Sequence, residues 1–182
     1  MNKYLTIIVL LLLSSCCKEG IEVNRYILTD YEKESIPYLT NETIKFSHTN
    51  GFEFDLTVTN RQAELRKTEI HHCGDNYSTY EILTVELISN IPELYINFEV
   101  VPKDFNPYMT ILVNKYYFDL DITLEPDIDT LSINGNIFSN IYQADSHVSD
   151  SLVIIPKQIL YNREVGIIQI TMTNNEKFTI KK

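Results

Sequence analysis

His71, His72, Cys73 and Asp75 gather imidazole, thiol and carboxylate groups within five positions, a set that suits zinc or copper. Neighbouring side chains on a strand point to opposite faces, so His71 and Cys73 can share a face while His72 cannot. No second ligand pair of matching spacing occurs, and the cluster reads as incidental or structural. Asp119, Asp121, Glu125, Asp127 and Asp129 offer the hard oxygens that calcium takes. A calcium loop begun at Asp127 would put Leu131 at an oxygen-ligand position and Ser132 where glycine is required. Acids alternating along the wet face of a strand explain the ladder equally well, and they discourage edge pairing. Nucleophilic catalysis needs a nucleophile, a base and a group that orients the base. His48, His71, His72 and His147 are accompanied by no Gly-x-Ser-x-Gly element. Paired carboxylates for glycoside cleavage are defined by a separation in space that a sequence does not display. No catalytic residue, no metal ligand and no cofactor is therefore assigned. Twelve tyrosines and no tryptophan point to core or interfacial aromatics more than to a sugar-stacking platform.

The beginning of the chain is more specific. Met1 to Cys17 reads MNKYLTIIVLLLLSSCC: Lys3 gives a positive start, Leu5 to Leu13 an apolar run, Ser14 and Ser15 a small-residue cleavage site. An apolar run of about nine residues is too short to span about 30 Å of hydrocarbon as a helix. Leu13-Ser14-Ser15-Cys16 resembles the lipobox of bacterial lipoproteins, in which signal peptidase II cuts before the cysteine and diacylglycerol is attached to its sulfur. The resemblance implies a signal peptide over residues 1–15 and a lipidated N-terminus at Cys16. Acyl chains contribute about 0.8 kcal/mol per buried methylene, so two or three of them hold a domain on a membrane. An ordinary secretory signal with incidental cysteines is the alternative. The residue after Cys16 is Cys17, not the Asp that retains enterobacterial lipoproteins in the inner membrane, which implies outer-membrane delivery. Lys18-Glu19 loosely resembles the surface-export signal of Bacteroidetes lipoproteins, so the expected location is periplasmic or surface-exposed.

Formal charge narrows the partners. It is -10 for the whole chain, and becomes -11 once residues 1–15, whose only charge is Lys3, are removed. Such a chain lacks the cations that displace counterions from phosphate polymers, which excludes nucleic acid as a partner. Cys16, Cys17 and Cys73 are the only cysteines, too few for a disulfide framework once Cys16 carries lipid.

Residues 16–24 read as a short tether and residues 25–182 as a single β domain. Thr29-x-x-Glu32 has the spacing of a capping box, and Pro37 ends the turn, which predicts one short helix. From Thr43 onward, Ile, Val, Thr, Tyr and Phe punctuated by Asn, Gly, Asp and Pro predict strands. Phe52, Phe54, Leu56 and Val58 alternate with polar residues after the hairpin signal Thr49-Asn50-Gly51. Further strands are expected over Tyr80 to Ser89, Glu93 to Val101 and Ile111 to Asp121. Leu131 to Tyr142 reads as a pair around Asn134-Gly135-Asn136, and Gly166 to Thr173 with Lys177 to Ile180 as a closing hairpin. About nine or ten antiparallel strands follow, in an all-β, mostly antiparallel sandwich or curved, partly closed barrel. A transmembrane barrel would need repeated lipid-facing bands of about nine to eleven residues and is the weaker reading.

Ile36-Pro37-Tyr38, Thr43-Ile44-Lys45-Phe46, Asn50-Gly51 and the stretch Leu160 to Ile170, with its Tyr-Asn-x-x-x-Gly-Ile-Ile pattern, are similar to uncharacterised Bacteroidetes outer-membrane lipoproteins. That resemblance implies location and fold, and a turn at Gly166 that feeds a central strand. Asp129-Thr130-Leu131 and Asp150-Ser151-Leu152 resemble the Asp-Ser/Thr-aliphatic O-glycosylation acceptor of Bacteroidetes, implying glycans at Thr130 and Ser151. The expected role is a non-catalytic binding or accessory module of the envelope, whose partners are membrane lipid through acylated Cys16 and an envelope protein or small ligand. A hydrolase acting on envelope or diet-derived polymer and a purely structural envelope protein are the alternatives. A pocket with convergent polar groups favours the first two, and a smooth surface the third.

Overall fold

The Thr29-x-x-Glu32 spacing builds what it predicts. In a computed structural model that describes residues 20–68, 75–146 and 153–181, Asp30–Lys33 forms one helical turn, α1. The Thr29 side chain accepts from the Glu32 amide, and the Glu32 carboxylate accepts from the Thr29 amide at 2.7 Å. The signal-peptide segment 1–15, Cys16, the cluster His71-His72-Cys73, His147 and Ser151 lie outside the described residues.

The remaining elements are strands: β1 Glu22–Tyr26, β2 Thr43–His48, β3 Glu53–Lys67, β4 Tyr77–Asn90, β5 Glu93–Val100, β6 Tyr108–Val113, β7 Tyr116–Asp121, β8 Ile128–Ile133, β9 Asn136–Asp145, β10 Pro156–Asn162, β11 Gly166–Met172 and β12 Lys177–Ile180. They form one open sheet in the order β7-β6-β5-β4-β3-β2-β12-β11-β10-β9-β8, with β1 on β4. The fold is all-β and mostly antiparallel, with a single short helix near the N-terminus, as the sequence predicts. Among the described residues no helix is long and apolar enough to cross a membrane.

Twelve strands replace the expected nine or ten, for three separate reasons. Ile111 to Asp121 is not one strand: Asn114 adopts φ 56° and turns the chain between β6 and β7. Its side chain accepts from the Tyr95 amide at 2.9 Å, which ties the turn to β5. β10 shows no polar alternation because Ile159, Leu160, Tyr161 and Asn162 are buried in succession. β1 takes up residues 22–24, the end of the segment read as a tether. The Asn-Gly signals behave as read: Gly51 lies at φ 88° between β2 and β3, and Asn134 and Gly135 at φ 51° and 81° between β8 and β9.

The chain divides into two compact units. One comprises Met1–Arg25 with Lys67–Thr79; in it the Glu22 carboxylate accepts from Arg25 at 2.8 and 2.9 Å and from the Thr79 hydroxyl. Those hydrogen bonds, from Arg25 first and then Thr79, draw the Glu22 carboxyl down to about 2. The other unit comprises Tyr26–Arg66 with Tyr80–Lys182 and holds the core and every cavity described below. Within it the sheet curls so that edge strand β7 returns against β9 and β10. Phe46, Leu56, Phe98, Met109, Phe118 and Ile168 are fully buried in the space so enclosed.

Candidate functional site

Residues paired directly across antiparallel strands share a face. From β3 to β9 the pairs Glu53–Ser47, Ser47–Thr179, Thr179–Gln169, Gln169–Leu160 and Leu160–Gln143 join into one row over six strands. All six residues line a single open groove of about 860 Å³. Ile128, Leu131 and Ile133 of β8 also line the groove, as do His48, Lys177 and Gln158. One position along the same strands, Phe178, Ile170, Ile159 and Ala144 form the next row, and they are buried in the core. The period of two therefore fixes both faces at once: apolar inward, amide and hydroxyl outward.

The groove carries little net charge along its floor. Thr179 and Gln169 are each 6% exposed, and Leu160 between Gln169 and Gln143 is 5% exposed. Gln169 donates from Nε2 to Thr171 Oγ1 at 3.1 Å, and Gln158 from Nε2 to Asp145 Oδ1 at 3.0 Å. At one end Glu53 pairs with Lys181, whose hydrogen bond holds that carboxyl below its usual range. His48 lies tilted against Phe178, ring centroids 5.2 Å apart, and has Nε2 3.6 Å from Glu176. Ser47 Oγ donates to the Thr179 carbonyl, and among the described residues no hydroxyl in the lining is bonded to an imidazole. Such a surface can hydrogen-bond an uncharged polar ligand.

A smaller cleft of about 340 Å³ opens beside α1. Val100, Met109 and Ile122 are its buried lining, with Tyr31 and Tyr108 exposed beside them. The segment that carries Tyr31 is fastened from several strands. Arg61 on β3 donates to the carbonyls of Lys33, Ile36 and Tyr38 at 2.9, 2.9 and 3.0 Å. Tyr161 on β10 donates to the Ser35 carbonyl, and Arg163 lies 3.5 Å over the Tyr31 ring while donating to the Tyr31 carbonyl at 2.7 Å. Burial raises the Tyr161 phenol well above its ordinary pKa and lowers that of the Arg61 guanidinium, so Tyr161 stays a neutral donor. Burial also works against ionisation of Glu32. It is outweighed by hydrogen bonds from the Thr29 side chain and from the amides of Lys103, at 2.7 Å, and Thr29, so the carboxyl is held below its usual value.

Of the residues singled out from sequence, His48 lines the groove, and the other described ones fall elsewhere. Thr130 lies exposed on edge strand β8. The acidic ladder is engaged by its own surroundings: Asp119 accepts from Thr110, Asp121 from Thr123, and Asp127 from the Gln143 amide at 2.8 Å. Among the described residues no three His, Cys, Asp or Glu gather as metal ligands would. The groove residues Ser47, Gln143, Gln169 and Thr179 were not legible as a site, because they come together only through the pairing of strands far apart in the chain. Gln169, alone in an Ile-Ile-Gln-Ile run, was the available signal. Comparison with protein families, curated proteins and solved structures finds no match to this chain.

Proposed function

We propose that this chain is a lipid-anchored envelope protein that acts by binding: acylated Cys16 holds it in the outer membrane, and the groove over β3 to β9 receives an envelope ligand. The observation that carries the binding role is the six-residue row, four of whose members, Ser47, Thr179, Gln169 and Gln143, are uncharged hydrogen-bonding groups along an open groove of about 860 Å³, within the size range of ligand sites. Hydrolysis of a glycosidic bond uses two carboxylates that flank it. Glu53 is the one carboxylate lining the groove among the described residues, and it is paired with Lys181, which favours binding over cleavage. The anchor rests on the Leu13-Ser14-Ser15-Cys16 motif. Intact mass and membrane fractionation of the native protein beside a Cys16→Ala variant test it. Acyl chains on the native protein, outer-membrane partition and release of the variant are the expected result. Identical fractionation of both forms with no lipid detected would refute the anchor.

A further inference from the structure

The geometry points to an unbranched neutral oligosaccharide as the occupant of the groove, lying across the strands with Gln169 at its centre; this rests on the binding role proposed above. Strands β12, β11 and β10, which make the floor, are paired on both sides. Their backbone donors and acceptors are consumed by the sheet, so a peptide cannot bind there by adding a strand. Recognition is left to side chains, and the floor supplies amides and hydroxyls: Ser47, Thr179, Gln169 and Gln143. A carboxamide sets an acceptor beside a donor, and the vicinal hydroxyls of a sugar, each both donor and acceptor, complement that pair.

Gln169 and Thr179 are each only 6% exposed; Gln169 donates from Nε2 to Thr171 Oγ1, and no hydrogen bond among the described residues uses Gln169 Oε1 or Thr179 Oγ1. A carboxamide within an isoleucine run places an acceptor on the groove floor that a ligand hydroxyl can use. Leu131 and Ile133 of β8, half-buried in the groove lining, give an apolar surface for the C–H face of a sugar ring. Neighbouring strands stand about 4.8 Å apart, close to the advance of one ring in an extended glycan, so the span from Ser47 to Gln143 accommodates about four rings. Ser47, Thr179, Gln169 and Gln143 along the floor carry no charge, which suits a neutral chain.

The mature lipoprotein in detergent micelles is titrated calorimetrically with cellotetraose, xylotetraose, maltotetraose and chitotetraose, with glucose as the monomer control and a tryptic peptide mixture as counter-probe. At least one tetrasaccharide binds, glucose binds about tenfold more weakly, and Gln169→Leu weakens tetrasaccharide binding about tenfold while Tm does not fall. Gln143→Ala, at an exposed position, weakens it in the same direction without threatening the fold. Absence of binding to every tetrasaccharide, or binding untouched by both variants, overturns the proposal. Gln169-dependent binding of peptides alone overturns the saccharide assignment while the binding role survives. Loss of lipid anchorage is read separately, from the Cys16→Ala fractionation.

Discussion

Glu32 is a buried carboxylate whose ionised form satisfies three donors, the Thr29 amide, the Thr29 hydroxyl and the Lys103 amide, at 2.6 to 2.7 Å. Burial alone would raise its pKa from the starting value of 4.5, but the hydrogen bonds outweigh burial and depress it. A depressed carboxyl contributes stability that is fully present above the unfolded pKa and is lost as pH falls through the folded value. Glu22 and Glu53 are depressed as well, so acid lability of the wild type alone would not isolate Glu32. The difference between wild type and Glu32→Gln does. At pH 7 the variant is expected to be about 1–3 kcal/mol less stable, because a neutral amide replaces an anionic acceptor of two amides and a hydroxyl. That gap should narrow steadily below about pH 4.5. Urea unfolding of both proteins from pH 7 to pH 3 measures it; parallel curves would show that ionised Glu32 adds nothing to the fold.

The stretch Tyr161 to Ile168 shows at the scale of an element what its sequence pattern encodes. Asn162 Oδ1 accepts from the amides of Glu164 and Val165 at 2.8 and 3.0 Å, while its Nδ2 donates to the Ser139 carbonyl, so one side chain both closes the turn and ties it to β9. Gly166 then enters β11 at φ 81°, directly against the Tyr38 ring and hydroxyl. Tyr38 can approach so closely because no Cβ stands there, and its hydroxyl accepts from the Ile167 amide at 2.6 Å. Gly166→Ala is expected to lose about 3 kcal/mol, combining the left-handed backbone cost with displacement of Tyr38. Gly51 supplies the control, since at φ 88° it has open space for 4 Å around the place a Cβ would take; Gly51→Ala should lose only about 1 kcal/mol. Equal losses in denaturant titrations would mean that the Tyr38 contact contributes nothing. The turn at Gly166 was legible because glycine and asparagine declare their backbone needs locally. The strand before it was not, because Ile159, Leu160, Tyr161 and Asn162 are buried in succession and β10 carries no period-two signal. The split between β6 and β7 hung on Asn114 alone, within an otherwise continuous strand pattern. The row of the groove was the least legible feature, since it is assembled from six strands whose order across the sheet, β3, β2, β12, β11, β10 and β9, is not their order along the chain.

For the whole molecule, the proposed anchor and the folded sheet act on different equilibria. The apolar core is drawn from Leu28 to Ile180, whereas the lipid is proposed on Cys16. A binding partner stabilises a protein only when it prefers the folded over the unfolded chain. Acyl chains on Cys16 partition into a micelle or bilayer whether or not the domain downstream is folded, so anchorage should leave the folding free energy unchanged even though each buried methylene contributes about 0.8 kcal/mol to membrane association. The lipidated protein in detergent and Cys16→Ala in the same detergent are accordingly expected to unfold at the same Tm by circular dichroism, while differing completely in membrane partition. A lower Tm for the variant would mean that the folded domain itself touches the lipid phase, since only an interaction that unfolding breaks can couple anchorage to stability.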